Sequence, residues 1–153
     1  AYDGAEASFE LLALRRFHKI REFYELISFK VSDEKRFNEK SKVFQTLSEA
    51  RIKILVKNKN YYSAAEGNGP IHALDNALRK ALEVSYPKIK YLNLLDYKVR
   101  ILTPQDGTDA LVRVRIESSN KKLKWSTLGV SKNVIDASFI ALHDSITYHL
   151  LKS

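Results

Sequence analysis

Two spacings of apolar residues alternate along the chain. Between residues 5 and 20, "AEASFELLALRRFHKI" sets Phe9, Leu12, Arg16 and Ile20 near one side of a helix, and Leu11, Leu14 and Phe17 widen the stripe. From residue 24 to 36 the spacing shortens to two. Phe29 and Val31 alternate with Ser28, Lys30 and Ser32, the period of a strand with one buried face. The polar run "NEKSKVFQTLSE" reads as a long hairpin connection, after which "ARIKILVK" (50–57) alternates again at Ile52, Ile54 and Val56. "NKN" at 58–60 is a turn signal and "YYSAAE" a third strand. Gly67-Asn68-Gly69-Pro70 then turns the chain into a helix over 70–85, with Ile71, Leu74, Leu78 and Leu82 on its apolar face and Pro87 ending it.

The second half repeats this order. "LLDYKVRIL" (94–102) matches "LISFKVSDE" (26–34) on the pattern Leu-apolar-x-aromatic-Lys-Val, and "ALVRVRIE" (110–117) matches "ARIKILVK". "SSNKK" is the turn, "LKWSTLG" the third strand, and "VIDASFIALHDSI" (134–146) aligns with "PIHALDNALRKAL" (70–82). The offsets run from about 60 to 68 residues, so the loops differ in length. The expected fold is α+β: two pseudo-symmetric βββα units with antiparallel sheets, at 23–86 and 89–153, preceded by a linker helix within 1–22. Each unit has one sheet face and one helix to cover it, so two units paired about a pseudo-twofold axis bury more together than apart. Small residues on the helices (Ala73, Ala77, Ala81; Ala137, Ala141, Ser145) allow close approach of backbones.

Composition narrows the chemistry. The 153 residues are 44% hydrophobic, enough for a buried core. Ala1 in place of a starting Met, and no Met elsewhere, read as a fragment or a processed chain. Without cysteine there is no disulfide, thiolate metal site or Cys nucleophile. No apolar run reaches the roughly 18 residues that span a bilayer, so the expectation is a soluble, cytoplasmic protein with no membrane partner. The net charge of +8 raises nucleic acid as a partner. Residues 1–60 carry 13 Lys/Arg against 9 Asp/Glu and residues 61–153 the same two counts, so the excess is spread over a solvated surface.

Candidate chemistry concentrates at the two helix starts. A helix N-terminus presents unpaired N–H groups and partial positive charge, and glycines ahead of it let an anion approach. "EGNGP" and "LGVSKN" stand at equivalent places. Neither has the spacing or lysine of a phosphate loop. Nearby residue types suit a small amphoteric ligand: Leu94, Tyr97 and Ile101 as apolar surface, Asp96 and Asp136 as acceptors for an ammonium, Val134 and Ile135 as branched surface. On spacing alone, ordinary strand core is the better account of Leu94, Tyr97 and Ile101. His72 beside Asp75 and His143 beside Asp144 form no recognisable metal or nucleophile motif.

These motifs resemble the C-terminal regulatory domains of α-isopropylmalate synthase and citramalate synthase over nearly the whole chain. "AAEGNGPIHALDNALRKAL", "LLDYKVRIL" and "WSTLGVSKNVIDASFIALHDSITYHLL" carry the resemblance. "YDGAEASFELL" looks like the linker after the catalytic barrel of citramalate synthases, and the last motif leans to that branch. The resemblance implies a homodimer in which an amino acid feeds back on the enzyme: isoleucine in the citramalate route, leucine in the leucine pathway. It places the effector pocket between the units, near the dimer interface. Its lining would fall on Gly67, Gly69, Ile71, Leu94, Tyr97, Ile101, Val134 and Asp136, with Leu111 as a further member. The parent enzyme would condense acetyl-CoA with pyruvate on a metal-bearing barrel whose ligands do not occur in this chain. This chain would then bind and regulate without catalysing, and without metal or cofactor.

A double-stranded-RNA-binding module has the same order of helix, three strands and helix. It needs a lysine cluster at the start of its second helix, where this chain reads "GNGPIHAL", with only Lys132 at the second start.

Overall fold

A computed structural model describes residues 6–103 and 110–153. In chain order they form α1 (Glu6–Arg16), β1 (Glu25–Asn38), β2 (Val43–Val56), β3 (Lys59–Gly67), α2 (Pro70–Leu82), a 3-10 turn (Pro87–Tyr91), β4 (Asn93–Leu102), β5 (Leu111–Ser119), β6 (Lys124–Ser131) and α3 (Val134–Lys152). The strands make two antiparallel three-stranded sheets, β1-β2-β3 and β4-β5-β6, so the α+β fold with a repeated βββα unit holds. The chain divides into two compact units. The first is Tyr24–Pro87, and the second joins Lys88–Ser153 to α1 and its continuation to Phe23.

In the first unit α2 lies over β2 and β3. Ala50, Ile52, Ile54 and Val56 of β2 meet Ile71, Leu74, Leu78 and Leu82 of α2, and all are buried. Full burial of such a side chain contributes about 1.5–3 kcal/mol. Val56 pairs with Lys59, leaving Lys57 and Asn58 as a two-residue turn, both at positive φ (50° and 66°). That primed geometry matches the twist of the strands.

The expected long connection over 38–49 is wrong. Asn38 pairs with Val43, and the loop is only residues 39–42, shaped by the Asn38 side chain accepting from the Lys40 and Ser41 N–H groups. The residues after it continue β2. Cross-strand partners hold this stretch, and the pattern of a single strand cannot reveal them. Phe37 stands opposite Phe44 with ring centroids 5.3 Å apart, and the Ser48 hydroxyl donates to Asp33 at 2.6 Å.

In the second unit α3 covers β5 and β6, with Val114, Ile116, Ala137, Leu142 and Ile146 buried. Helix α1 packs on β6 as well, where the Ser8 hydroxyl accepts from the Leu128 N–H at 2.9 Å. The buried face of α1 is Ala7 and Leu11, whereas Phe9 is 70% and Leu12 63% exposed, so the packing stripe is rotated from the expected one.

The expected helix over 5–20 ends at Arg16, and its first position, residue 5, lies outside the described residues. His18 adopts φ 55° and the Lys19 N–H closes on the Leu14 carbonyl at 2.7 Å, a left-handed termination. Helix α2 ends at Leu82 rather than 85, and Pro87 opens the 3-10 turn instead of stopping the helix. Helix α3 runs to Lys152, past the expected 146. Its extra turn carries His149, 1% exposed, whose Nε2 donates to the Lys88 carbonyl at 2.7 Å and whose Nδ1 accepts from Asn120.

The two units agree in detail at an offset of 64. The Ser63 hydroxyl donates to the Ala77 carbonyl, and Thr127 donates to the Ala141 carbonyl at 2.7 Å. Each bond ties the third strand of a unit to its helix where alanines let the backbones close.

Candidate functional site

The two helix starts differ. At α2, Gly69 is the N-cap, with extended backbone (φ 178°, ψ 168°) and no side-chain cap. Pro70 follows at the first helical position, where its missing N–H costs nothing. A Cβ built on Gly69 meets nothing within 4 Å, so a side chain could be accommodated at this position. At α3 the equivalent residue is Asn133. Its side chain accepts from the Asp136 N–H at 2.8 Å, and its amide donates to the Asp136 carboxylate at 2.9 Å. This is a reciprocal cap of the capping-box kind. One first-turn N–H of the second start, that of Asp136, is therefore taken by a side chain, and the Asp136 carboxylate is already engaged.

Gly67 and Gly129 serve the protein's own packing. A Cβ on Gly67 would lie 2.5 Å from the Ala73 nitrogen, and one on Gly129 would lie 2.0 Å from the Ala137 carbonyl oxygen. What approaches these glycines is the backbone of the helix that covers the sheet.

The apolar candidates on β4 fall into one row, and a bulge puts them there. Leu94 pairs with Ser118 and Tyr97 with Ile116, with the register shifting in between. The extra residue restores the phase, so residues three apart share a face. The same shift separates Leu26 from Ser28 on β1, and it underlies the Leu-apolar-x-aromatic-Lys-Val pattern. Tyr97, Val99 and Ile101 follow on that face, opposite Ile116, Val114 and Val112. It is the face that α3 covers over β5 and β6. On β4 the row stays open, with Tyr97 37%, Val99 45% and Ile101 69% exposed. Val99 escaped the sequence reading although it stands at the strand period between two named residues.

Other candidates lie elsewhere. Leu111 pairs with Leu102 and points to the opposite face from Tyr97, as does Asp96, which pairs with Glu117. Ile71 is 2% exposed, so its side chain belongs to the core of the first unit. Val134, 38% exposed, opens α3. A depression of about 480 Å³ opens on the face of the first sheet away from α2, with Lys30, Arg51, Lys53 and Tyr62 on its walls. Its cations repel an ammonium, so its size does not make it the site for an amphoteric ligand.

The strongest electrostatic feature is in the second unit. Arg15 donates to Glu22 through Nε at 3.2 Å and Nη2 at 3.0 Å, and to Asp144 through Nη1 at 2.8 Å. Glu22 also meets His143 Nε2 at 3.1 Å. The His143 hydrogen bond, opposed by burial and helped by Arg15, lowers the Glu22 carboxyl from 4.5 to about 2. In the first unit, Asp75 accepts a two-pronged contact from Arg79 Nε at 2.9 and 3.0 Å, while burial pushes its carboxyl up. No group of three His, Cys, Asp or Glu side chains suited to a metal occurs among the described residues, and none of their helices is long and apolar enough to cross a membrane.

Comparison with known proteins adds a family. The profile described as LeuA allosteric (dimerisation) domain matches residues 3–150. The chain is 53% identical over 152 residues to an (R)-citramalate synthase of Geobacter sulfurreducens, and 48% identical over 151 to one of Aquifex aeolicus. Each match covers 99% of this chain and 28% of the relative, so the chain spans little more than a quarter of their length. A 2-isopropylmalate synthase of Aquifex aeolicus is 33% identical over 103 residues, covering 67% of this chain and 18% of that enzyme.

Proposed function

Because the chain belongs to the LeuA allosteric (dimerisation) domain family, we propose that it is the isoleucine-sensing regulatory domain of a citramalate synthase. The observation that carries the reading is the near-complete match to (R)-citramalate synthases, against a partial and weaker one to an isopropylmalate synthase. The parent enzyme would join acetyl-CoA to pyruvate on a separate metal-bearing barrel, as a cytoplasmic homodimer. This chain would contribute recognition and inhibition and carry no cofactor of its own.

Two features support recognition of an amino acid. In the first unit, the start of α2 at Gly69–Ile71, which has no side-chain cap, offers backbone N–H groups to a carboxylate. In the second unit, the row Leu94, Tyr97 and Ile101, to which Val99 is added, offers a branched side chain apolar surface with one phenol. Val134 would extend that surface. Asp136 would act through its cap on α3 rather than as a free partner of the ammonium. Inhibition would follow from a population shift, with effector binding favouring one arrangement of the enzyme.

Leucine is the second reading, favoured by the isopropylmalate synthase similarity. The two amino acids differ in the position of one methyl group, which an apolar pocket discriminates by only about 1–3 kcal/mol. Calorimetric titration of the parent enzyme with isoleucine, leucine and valine separates the readings. Isoleucine is expected to bind at least tenfold more tightly than leucine. Leucine binding more tightly would move the chain to the other branch, and no heat with any of the three would end the proposal.

A further inference from the structure

Helix α3 has two distinct stretches. Its first turn carries Val134 and Asp136. Its second half carries the polar contacts that α1 and its continuation make with it. Arg15 of α1 reaches Asp144 at 2.8 Å, and Glu22 beyond α1 reaches His143 at 3.1 Å. Glu10 of α1 meets the Tyr148 hydroxyl at 3.4 Å and the Lys152 ammonium at 2.5 Å.

We propose that the Arg15–Glu22–His143–Asp144 network, with the Glu10–Lys152 pair, is a latch that makes α1 move with α3 and so carries the effector signal out of this domain. The proposal rests on the effector reading above and names the residues of its output.

The geometry supports a rigid linkage. A helix of 19 residues is a rod of about 28 Å, so a shift at its first turn is passed along its axis. Arg15 is fixed on both sides. The left-handed turn at His18 brings Glu22 back to one edge of its guanidinium while Asp144 takes the other, and a fork held by two carboxylates has little freedom to slide. Leu11, fully buried, anchors α1 between its two charged contact points. The side chains of Arg15, Asp144 and His143 are only 30%, 12% and 20% exposed, so water competes weakly for these bonds.

The test uses the full-length parent enzyme and two variants, Arg15→Gln and Asp144→Asn. The second removes one charge and leaves the Glu22–His143 contact in place, so it keeps the test alive if Arg15→Gln fails to fold. Hydrogen exchange is measured across Glu6–Arg16, alongside isoleucine binding and the inhibition curve. Losing charge-assisted bonds should speed exchange in α1 roughly tenfold or more. Isoleucine affinity should stay within about threefold, while maximal inhibition falls by about half or more. Inhibition curves that superimpose on wild type would overturn the latch, and so would parallel loss of binding and inhibition, or unchanged exchange in α1. If wild-type enzyme binds no isoleucine, the effector reading fails, and the exchange measurement still decides whether these residues hold α1.

Discussion

Gly69→Asp separates a glycine kept for a ligand from one kept for packing. The backbone at Gly69 is extended and its Cβ position is empty, so aspartate enters without strain. Its carboxylate would then accept from the first-turn N–H groups of α2, as Asn133 does at the equivalent place on α3. Replacing an N-cap glycine in this way is worth a few tenths of a kcal/mol, up to about 1, in favour of the fold. The melting temperature should therefore stay level or rise by about 1–3 °C. The effector's carboxylate would lose its charge-assisted bonds, about 1.5–3 kcal/mol, and would meet a like charge as well. Isoleucine affinity should fall roughly 10- to 100-fold or more, read by calorimetry, with uninhibited turnover intact. Gly67→Ala, two residues earlier, should do the reverse. Its methyl group would sit 2.5 Å from the Ala73 nitrogen and 2.7 Å from the His72 carbonyl carbon, both backbone atoms that cannot turn aside. Overpacking of this kind costs about 1–3 kcal/mol, a loss of roughly 2–10 °C. Wild-type affinity for isoleucine in Gly69→Asp would refute the assignment of the α2 start. A Gly67→Ala protein melting within about 1 °C of wild type would refute the packing argument.

Other consequences follow from the same geometry. Tyr97→Ala, at a side chain 37% exposed, should leave the melting temperature within about 2 °C and raise the isoleucine concentration for half inhibition several-fold; an unchanged inhibition curve would remove Tyr97 from the site. Gly129→Ala should destabilise more than Gly67→Ala, because its Cβ falls 2.0 Å from the Ala137 oxygen, and equal thermal shifts would contradict this. Glu22 has a folded pKa of about 2, below its ordinary 4.5, so its stabilising effect is present above 4.5 and is lost as pH falls through 2. The side chain is 35% exposed, and solvent screening reduces the nominal 3 kcal/mol or so to ~1–2 kcal/mol. Wild type should therefore melt about 2–8 °C above Glu22→Gln at pH 6 and near it at pH 2, and a gap that persists in acid would refute the reasoning.

The core was legible because it obeys a period. Ile52, Ile54 and Val56 on a strand, and Ile71, Leu74, Leu78 and Leu82 on a helix, are buried where their spacing puts them. The repeat was legible because both copies solve the same packing problem, down to the bulge that lets Leu94 and Tyr97 share a face. What escaped depends on partners that spacing cannot supply. The stretch from Val43 onward looked like a loop because its stability comes from Phe37, Asp33 and the rest of β1 across the ladder. The face of α1 was misjudged because Ser8, Arg15 and Glu10 bind polar partners far along the chain, and these bonds orient the helix as much as its leucines do.

At the candidate site the informative signal is the difference between the two copies. At offset 64, Gly69 aligns with Asn133 and His72 with Asp136. Asn followed by Asp three residues later is a recognisable self-capping pair, and Gly-Pro leaves the first turn without a side-chain cap. Read as two equivalent anion sites, the helix starts conceal this asymmetry. Compared position by position, one copy caps a first-turn N–H with its own side chain and the other has a glycine in that place. The Asn133 side chain already occupies the Asp136 N–H at the start of α3, and no N-cap side chain does so at the start of α2, so the binding contribution of the α2 start should exceed that of α3. Substituting Asn133 should then cost stability before it costs affinity, the opposite of what Gly69→Asp should do.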